Sequence, residues 1–326
     1  SGVLQGTVLG PLLFLLYIND ISSIVKHSQS FIYADELTCV YSFSNSTTER
    51  CLEQIHSDLD ALSAWSSTWL MEFSPTKCRY MSFGPVRLPQ PLIFEGCHMI
   101  ECSSIKDLGL SYTNKLDLSP HADRITAKAA QICGFISYNF YLPEIKLRLY
   151  RMFVLPILEF CCPFFGLMNE SSRSKIENVQ RNFTKKLLYP TLLTTSYSTR
   201  CQLTKLKFLW VRRLEAGFCL LFRLNNSSTL PKLSVITPVS LPYNLRNSEL
   251  IIPPPASSTC KRSLFFASRY SFLWNNLPIE IRSLTSLSAF KRRLHIYLNT
   301  DSINLLFSSS FPSSFPHDSE KGPSGI

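Results

Sequence analysis

Hydrophobic positions in the first part of the chain alternate between helical and extended periods. After Gly10 and Pro11 the run Leu12, Leu13, Leu15, Leu16 and Ile18 predicts a buried helix, with proline in the first turn, where an N–H has no partner anyway. A polar stretch, Lys26 to Gln29, marks a turn. The runs 30–34 and 37–43 are rich in aromatic and β-branched residues, and Asp35 and Glu36 between them predict a hairpin with acids at its tip. Ser46 followed by Glu49 reads as a capping box, and Leu52, Ile55, Leu59, Leu62 and Trp69 continue at helical spacing, so a long amphipathic helix is expected. Short strand candidates follow at 78–83, 92–94, 99–102 and 105–112, divided by Gly and Pro turns.

From Ser119 the pattern turns helical. Ser119 is placed to cap, Pro120 fits the first turn, and Ile125, Ala129, Ile132 and Ile136 form one stripe. Further helical patterns run over 143–160 with a kink at Pro156, over 172–188, and over 203–224. Ser and Pro, including Pro253 to Pro255, dominate 227–259 and predict a linker; apolar content returns over 262–298; Ser, Pro and Gly then predict a disordered tail. The fold class expected is α+β: helices on a short antiparallel sheet over 1–115, a helical domain over 116–226, a linker over 227–261, a small segment over 262–300 and a tail over 301–326.

Composition narrows the class. With 326 residues, 45% hydrophobic and 12% aromatic, the chain can bury a substantial core. Lys and Arg number 33 against 23 Asp and Glu, so a polyanionic partner is favoured electrostatically, although a basic surface by itself also serves solubility. The apolar run at 8–18 is interrupted by Gly10 and Pro11 and falls short of the ~20 residues of a membrane span, and no secretory leader is read, so an intracellular protein without a membrane partner is expected. Eleven cysteines, an odd number, are read as reduced thiols; Cys97, His98 and Cys102 lack a second ligand pair at zinc-finger spacing. No G-x-G-x-x-G, phosphate loop or G-x-S-x-G is present, which excludes the common nucleotide-loop and hydrolase readings.

Four motifs in order carry the chemistry. The segment Ser1 to Ile21, SGVLQGTVLGPLLFLLYINDI, resembles motif B in the palm of reverse transcriptases from non-long-terminal-repeat (LINE-type, Jockey-like) retrotransposons, with Leu4 in place of a usual proline. Phe31-Ile32-Tyr33-Ala34-Asp35-Glu36 resembles motif C, whose usual form ends in two aspartates; here the second is Glu36. The stretch Trp69 to Gly84 resembles motif D, and Ile105-Lys106-Asp107-Leu108-Gly109-Leu110 the primer-grip motif E. Read without the resemblance, Asp35 and Glu36 are solvated turn acids and Lys77 is a surface lysine after a turn.

The resemblance implies an RNA-directed DNA polymerase that uses Mg²⁺, two ions in an intact member, with RNA template, DNA primer and deoxynucleoside triphosphates. It implies that Gln5, Gly6 and Tyr33 lie beside template and nucleotide, Asp35 binds metal with Glu36 beside it, Lys77 protonates the departing diphosphate, and Lys106, Leu108 and Gly109 grip the primer. Carboxylates suit this role because two cations must activate the primer hydroxyl and neutralise the transferring phosphate. The helical region then resembles a thumb, with Arg124, Lys128, Arg181, Lys185 and Lys186 as phosphate contacts. Residues 262–298 resemble a segment near the end of many such proteins. The family's other metal-binding aspartate belongs to motif A, upstream of motif B. With that absence and Glu36, the copy is expected to be the C-terminal part of the enzyme and inactive as it stands; a non-catalytic nucleic-acid-binding remnant, or a decayed reading frame, is the alternative. A ribonucleoprotein of nucleus or cytoplasm is the expected setting.

Overall fold

The computed structural model describes residues 6–188, 195–226, 237–238, 251–252 and 264–299. Two compact units emerge: residues 1–106 with 113–115, and residues 107–112 with everything from 116 onward. The mixture of helices and small sheets fits the α+β expectation. The single antiparallel sheet does not: among the described residues there are five separate two-stranded pairs.

In the first unit, α1 (Gly10–Tyr17) opens with Pro11 in its first turn and is apolar on every side. Such a helix normally lies inside a core, yet Leu12, Leu13, Leu15 and Leu16 are 49–67% exposed. The unit supplies apolar partners for one side only, through Phe14 and the following Ile18. After the short α2 (Ile21–Ile24), β1 (Gln29–Tyr33) and β2 (Glu36–Val40) pair antiparallel, with Ile32 opposite Leu37 and Ser30 opposite Cys39 on the packed face.

The long helix α3 (Thr48–Trp69) is present, but its start differs from expectation. The capping box uses Ser44 and Thr47, around a one-turn segment Asn45–Thr47, and not Ser46 with Glu49. A hydroxyl at Thr47 reaches back to the Ser44 N–H at 2.9 Å, which a Glu49 carboxylate one turn on need not do. The buried face is Cys51, Ile55, Leu62 and Trp65, whereas Trp69 at the last turn is 38% exposed. Beyond it, β3 (Arg79–Tyr80), β4 (Ile93–Phe94), β5 (Cys97–His98) and β6 (Ile100–Glu101) are two residues each. β4 and β5 form a hairpin through Glu95 and Gly96, both at positive φ, while β3 and β6 pair in parallel, since the chain between them crosses over.

Strands β7 (Ser104–Asp107) and β8 (Leu110–Thr113) form the last hairpin before the helices. The helix α4 (Ser119–Asn139) buries Ile125, Ala129 and Ile136 as its period requires, but Leu118, not Ser119, occupies the cap position; Ser119 is held by Asp117, which accepts its N–H at 3.1 Å and its hydroxyl at 2.9 Å. The expected kinked helix over 143–160 is α5 (Pro143–Leu149), a wide π turn Tyr150–Val154 and α6 (Leu155–Glu159). Pro156 has no N–H for a regular turn and crowds the preceding one, so the helix widens just before it.

Next, α7 (Glu170–Leu187) starts at Asn169, whose side chain accepts the Ser172 N–H at 2.8 Å, and ends on Lys185 and Lys186, the favourable charge for a helix C-terminus. The helix expected over 203–224 is two: α8 (Tyr197–Thr204) and α9 (Leu209–Asn226). Lys205 turns left-handed at φ 52°, and Leu206 N donates to Cys201 O at 3.0 Å, closing α8. Within the expected linker, β9 (Thr237–Pro238) and β10 (Ile251–Ile252) pair antiparallel; its other residues, and the tail, lie outside the described residues.

Residues 264–299 form α10 (Phe266–Asn275), α11 (Ile279–Arg282) and α12 (Leu287–Leu298), which pack on α9 around Phe218, Phe222, Trp274 and Phe290. A second core in this unit gathers Ile125, Tyr150, Leu158, Ile176 and Phe183. Among the described residues no helix is long and apolar enough to cross a membrane.

Candidate functional site

The β1–β2 hairpin closes through two residues, Ala34 and Asp35, because Tyr33 pairs directly with Glu36. Ala34 takes φ 53°, a left-handed value that costs an L-residue roughly 1–2 kcal/mol. Strain at a tip of this kind is a recognised mark of functional segments. Asp35 and Glu36 are both exposed, but on different footings: Asp35 belongs to the turn, and Glu36 is the first residue of β2. Phe31 and Tyr33, 59% and 67% exposed, share the outer face of the hairpin with Glu36.

What fixes the hairpin's base is a residue that periodicity does not single out. Asp58 of α3 is 2% exposed and accepts the N–H groups of Lys26 and His27 at 3.0 and 3.1 Å and the Tyr41 hydroxyl at 2.9 Å. Its carboxylate thus ties the chain entering β1 to the chain leaving β2. Burial pushes the Tyr41 hydroxyl above its ordinary pKa, and the hydrogen bond to Asp58 pushes it further. A second tie runs from Trp65 Nε1 to Asp20 Oδ1 at 3.0 Å, so α3 also holds the segment that follows α1. The visible signal for Asp58 was an acid on the apolar stripe of an amphipathic helix.

The remaining motif residues of this unit are placed less closely. Gly6 has φ 85°, and a Cβ there would meet nothing within 4 Å; the conformation, rather than crowding, calls for glycine. Gln5 lies outside the described residues. Lys77 ends a one-turn segment Pro75–Lys77 and is exposed, as is Lys106 in β7.

In the second unit, Leu108 and Gly109 take φ 43° and 87°, the pattern of a type I′ turn. A Cβ on Gly109 would stand 2.9 Å from Phe160 Cε1, so glycine is required here by space as well as by φ. Arg124 donates to the Gly109 carbonyl and stands 3.1 Å from His121 Nδ1, and Ser111 N donates to the same nitrogen at 3.5 Å. The turn is therefore anchored on α4. Burial lowers the His121 pKa; a backbone hydrogen bond at Phe160 opposes this and Arg124 adds to it.

Lys128 lies exposed on α4, and Phe135 and Tyr138, 63% and 83% exposed, continue its face at helical spacing. Lys185 and Lys186 are exposed at the end of α7. Arg181 is different: partly buried, it lies 4.7 Å over the ring of Tyr197, whose hydroxyl donates to Glu177 at 2.7 Å. Gln180, fully buried, donates to that hydroxyl at 2.9 Å and accepts from Tyr150 at 3.2 Å.

A two-cation site needs several carboxylates around one point. Among the described residues no group of three or more His, Cys, Asp or Glu side chains is arranged to hold a metal ion. The residues described here therefore do not fit a complete metal site by themselves; they offer one exposed carboxylate pair on a rigid hairpin.

Residues 1–119 match the family described as reverse transcriptase (RNA-dependent DNA polymerase). Over 194 residues the chain is 27% identical to the probable RNA-directed DNA polymerase from transposon X-element of Drosophila melanogaster, covering 55% of this chain and 21% of that protein. Over 197 residues it is 26% identical to the probable RNA-directed DNA polymerase from transposon BS of the same fly, with coverage of 55% and 21%. The RNA-directed DNA polymerase from its mobile element jockey is 24% identical over 200 residues, covering 57% and 22%. The chain thus spans about a fifth of the length of these relatives. No solved structure matches. Residues 1–119 thus match the reverse transcriptase family, and over somewhat more than half of its length the chain is similar to RNA-directed DNA polymerases of fly transposable elements.

Proposed function

We propose that this chain is the catalytic-hairpin and nucleic-acid-gripping portion of an RNA-directed DNA polymerase, with residues 1–115 as palm and 116–226 as thumb. The observation that carries the proposal is the exposed carboxylate of Asp35 on a strained two-residue turn, held from below by Asp58, within the segment that matches the family. In this reading Asp35 supplies one ligand to a Mg²⁺ ion, and the other ligands come from outside the described residues. The ion, when bound, neutralises charge on the transferring phosphate. Glu36 sits one residue into β2 and carries one methylene more than aspartate, which supports weaker metal holding at this copy.

The chain's own residues would bind and orient. Gly6, Tyr33 and, in the first residues, Gln5 face nucleotide and template; Lys77 donates a proton to the departing diphosphate; Lys106 and the Leu108–Gly109 turn hold the primer end. Lys128, Lys185 and Lys186 neutralise backbone phosphates, and Phe135 and Tyr138 offer rings on which bases stack.

A second reading, a segment that binds nucleic acid without chemistry, draws on the same exposed basic and aromatic face of α4. One experiment separates them: primer extension on an RNA template with Mg²⁺ and deoxynucleoside triphosphates, alongside duplex binding at rising salt. Extension that disappears in Asp35→Ala supports the polymerase. Binding that falls steeply with salt and no extension supports the second reading. Neither extension nor salt-dependent binding rejects both.

A further inference from the structure

A cavity of about 260 Å³ opens inside the second unit, bounded by the segment Cys162–Leu167, α7, α9 and α10. It is large beside the ~30 Å³ that one water occupies in the liquid. Among the described residues four arginines line it, Arg173, Arg181, Arg213 and Arg269, and one carboxylate, Glu177. One oxygen of that carboxylate is committed elsewhere and the other faces Arg213. Its Oε1 accepts the Tyr197 hydroxyl at 2.7 Å and the Leu209 N–H at 3.1 Å, and its Oε2 stands 3.8 Å from Arg213 Nη2. Glu170 comes within 3.8 Å of Arg173 but is itself half exposed.

Arg213 is 7% exposed, and its Nη1 has no hydrogen-bond partner among the described residues; Arg173 Nε, also buried, has none either. Guanidinium groups do not give up their protons in proteins, so these charges persist when buried. Each of these side chains has a carboxylate 3.8 Å away, but a buried N–H left without an acceptor is still costly to a fold. Burial lowers the pKa of all three of Arg173, Arg213 and Arg269, and for Arg173 the nearby Arg269 is the next cause.

The fold makes room for this arrangement. A Cβ on Gly166 would stand 2.3 Å from the Leu264 carbonyl and 3.1 Å from Arg269 Nη1. A Cβ on Gly217 would stand 2.0 Å from the Tyr270 ring, whose hydroxyl donates to the Arg213 carbonyl at 3.2 Å. Two glycines thus let α10 approach closely enough to bring Arg269 to the cavity. The Arg213 guanidinium lies 5.7 Å from the centre of the Phe165 ring, and that of Arg269 6.0 Å from the centre of the Tyr270 ring, within reach of weak cation–π attraction.

We propose that this cavity binds a multiply charged oxyanion of the phosphate or diphosphate class, held by the guanidinium groups of Arg173, Arg213 and Arg269. Forked guanidinium donors match phosphate oxygens two at a time, and such an anion supplies acceptors to Arg213 Nη1 and Arg173 Nε. The site lies within residues 162–270, outside the residues matched to the polymerase family, and it does not depend on the function proposed above. The anion is either a free small molecule or the terminal phosphate of a polynucleotide.

The test is thermal unfolding of the whole chain in sodium diphosphate and in sodium chloride at matched ionic strength. A ligand that binds only the folded state raises the midpoint in a concentration-dependent way. The expected result is a saturable rise with diphosphate beyond that with chloride, cut at least fivefold in Arg213→Met and in Arg173→Met. Arg213→Met leaves the buried Glu177 Oε2 without the cation that faces it, so this variant without anion should be less stable than the parent. Should Arg213→Met fail to fold, Arg173→Met, nearer the rim, decides. Equal responses to the two salts, or full diphosphate responses in a folded variant, would overturn the proposal. Displacement of diphosphate by a 5′-phosphorylated but not an unphosphorylated oligonucleotide would support the site with a polynucleotide end as its source; displacement by neither would support it with a free anion.

Discussion

Replacing Asp58 by alanine should loosen the β1–β2 hairpin without touching it. Three donors converge on this carboxylate: Lys26 N at 3.0 Å, His27 N at 3.1 Å and Tyr41 Oη at 2.9 Å. A hydrogen bond to a charged group contributes about 1.5–3 kcal/mol, and a buried donor left without an acceptor costs about 1–3 kcal/mol. The three share one partner, so their effects do not add, and a total loss of about 3–4 kcal/mol is expected. At a factor of ten for each ~1.4 kcal/mol, that loss should accelerate amide hydrogen exchange across β1 and β2 by between about 100-fold and 1,000-fold. Amides of Ile125 to Ile136 in α4 should keep the parent's rates, since they belong to the other unit. Asp58→Asn keeps the volume and one acceptor oxygen and should fall between. Hairpin exchange within threefold of the parent in Asp58→Ala would refute the argument that this carboxylate fixes the hairpin's base.

Other consequences are as open to measurement. Gly109→Ala combines a φ of 87° with a contact of 2.9 Å to Phe160 and should cost about 1–3 kcal/mol in urea unfolding of the second unit. Gly217→Ala meets Tyr270, only 4% exposed and tied to Arg213, so a loss of about 2–4 kcal/mol is expected. In contrast Gly134→Ala, on α4 with open space at the Cβ position, should gain about 0.5–1 kcal/mol; similar midpoints for these two variants would contradict the packing described. His121 has its pKa lowered by burial, so between that depressed value and the ordinary ~6.5 the unfolded chain binds more protons than the folded one. Stability should therefore be fully present above about pH 6.5 and fall by at most ~1.4 kcal/mol per unit as pH drops through this window. A folded His121→Gln variant should show a flatter profile, and an unchanged slope would remove His121 as the cause.

The helical periods of α3 and α4 and the hairpin around Asp35 were legible because each depends on residues near in sequence. The four-residue offset from Ile125 to Ala129 and the acids between two β-rich runs need no distant partner to be read. What escaped was set by contacts over long separations or by backbone detail. Ser46 and Glu49 have the spacing of a capping box, but Ser44 and Thr47 make the reciprocal bonds. Lys205 looks like any helical lysine, yet it turns left-handed because Leu206 and Leu209 are drawn into the core behind it. The leucines of α1 read as core and lie half exposed, since burial depends on which partners are at hand.

The candidate site divides in the same way. Asp35 could be found from its neighbours in the chain, whereas Asp58 is separated from the backbone it holds by more than 30 residues. The arginine cavity depends on residues more than 90 positions apart and on two glycines whose meaning is purely steric. No local pattern announces such a site.

The most direct test of the central claim, that the Asp35 turn is a metal-binding tip of a polymerase, is paramagnetic broadening by Mn²⁺ in the chain bound to an RNA–DNA template–primer. The account predicts that amide signals from Tyr33 to Leu37 broaden first and that Asp35→Ala abolishes this while leaving duplex binding intact. Broadening centred on other carboxylates, or the same broadening at the turn in Asp35→Ala, would contradict it.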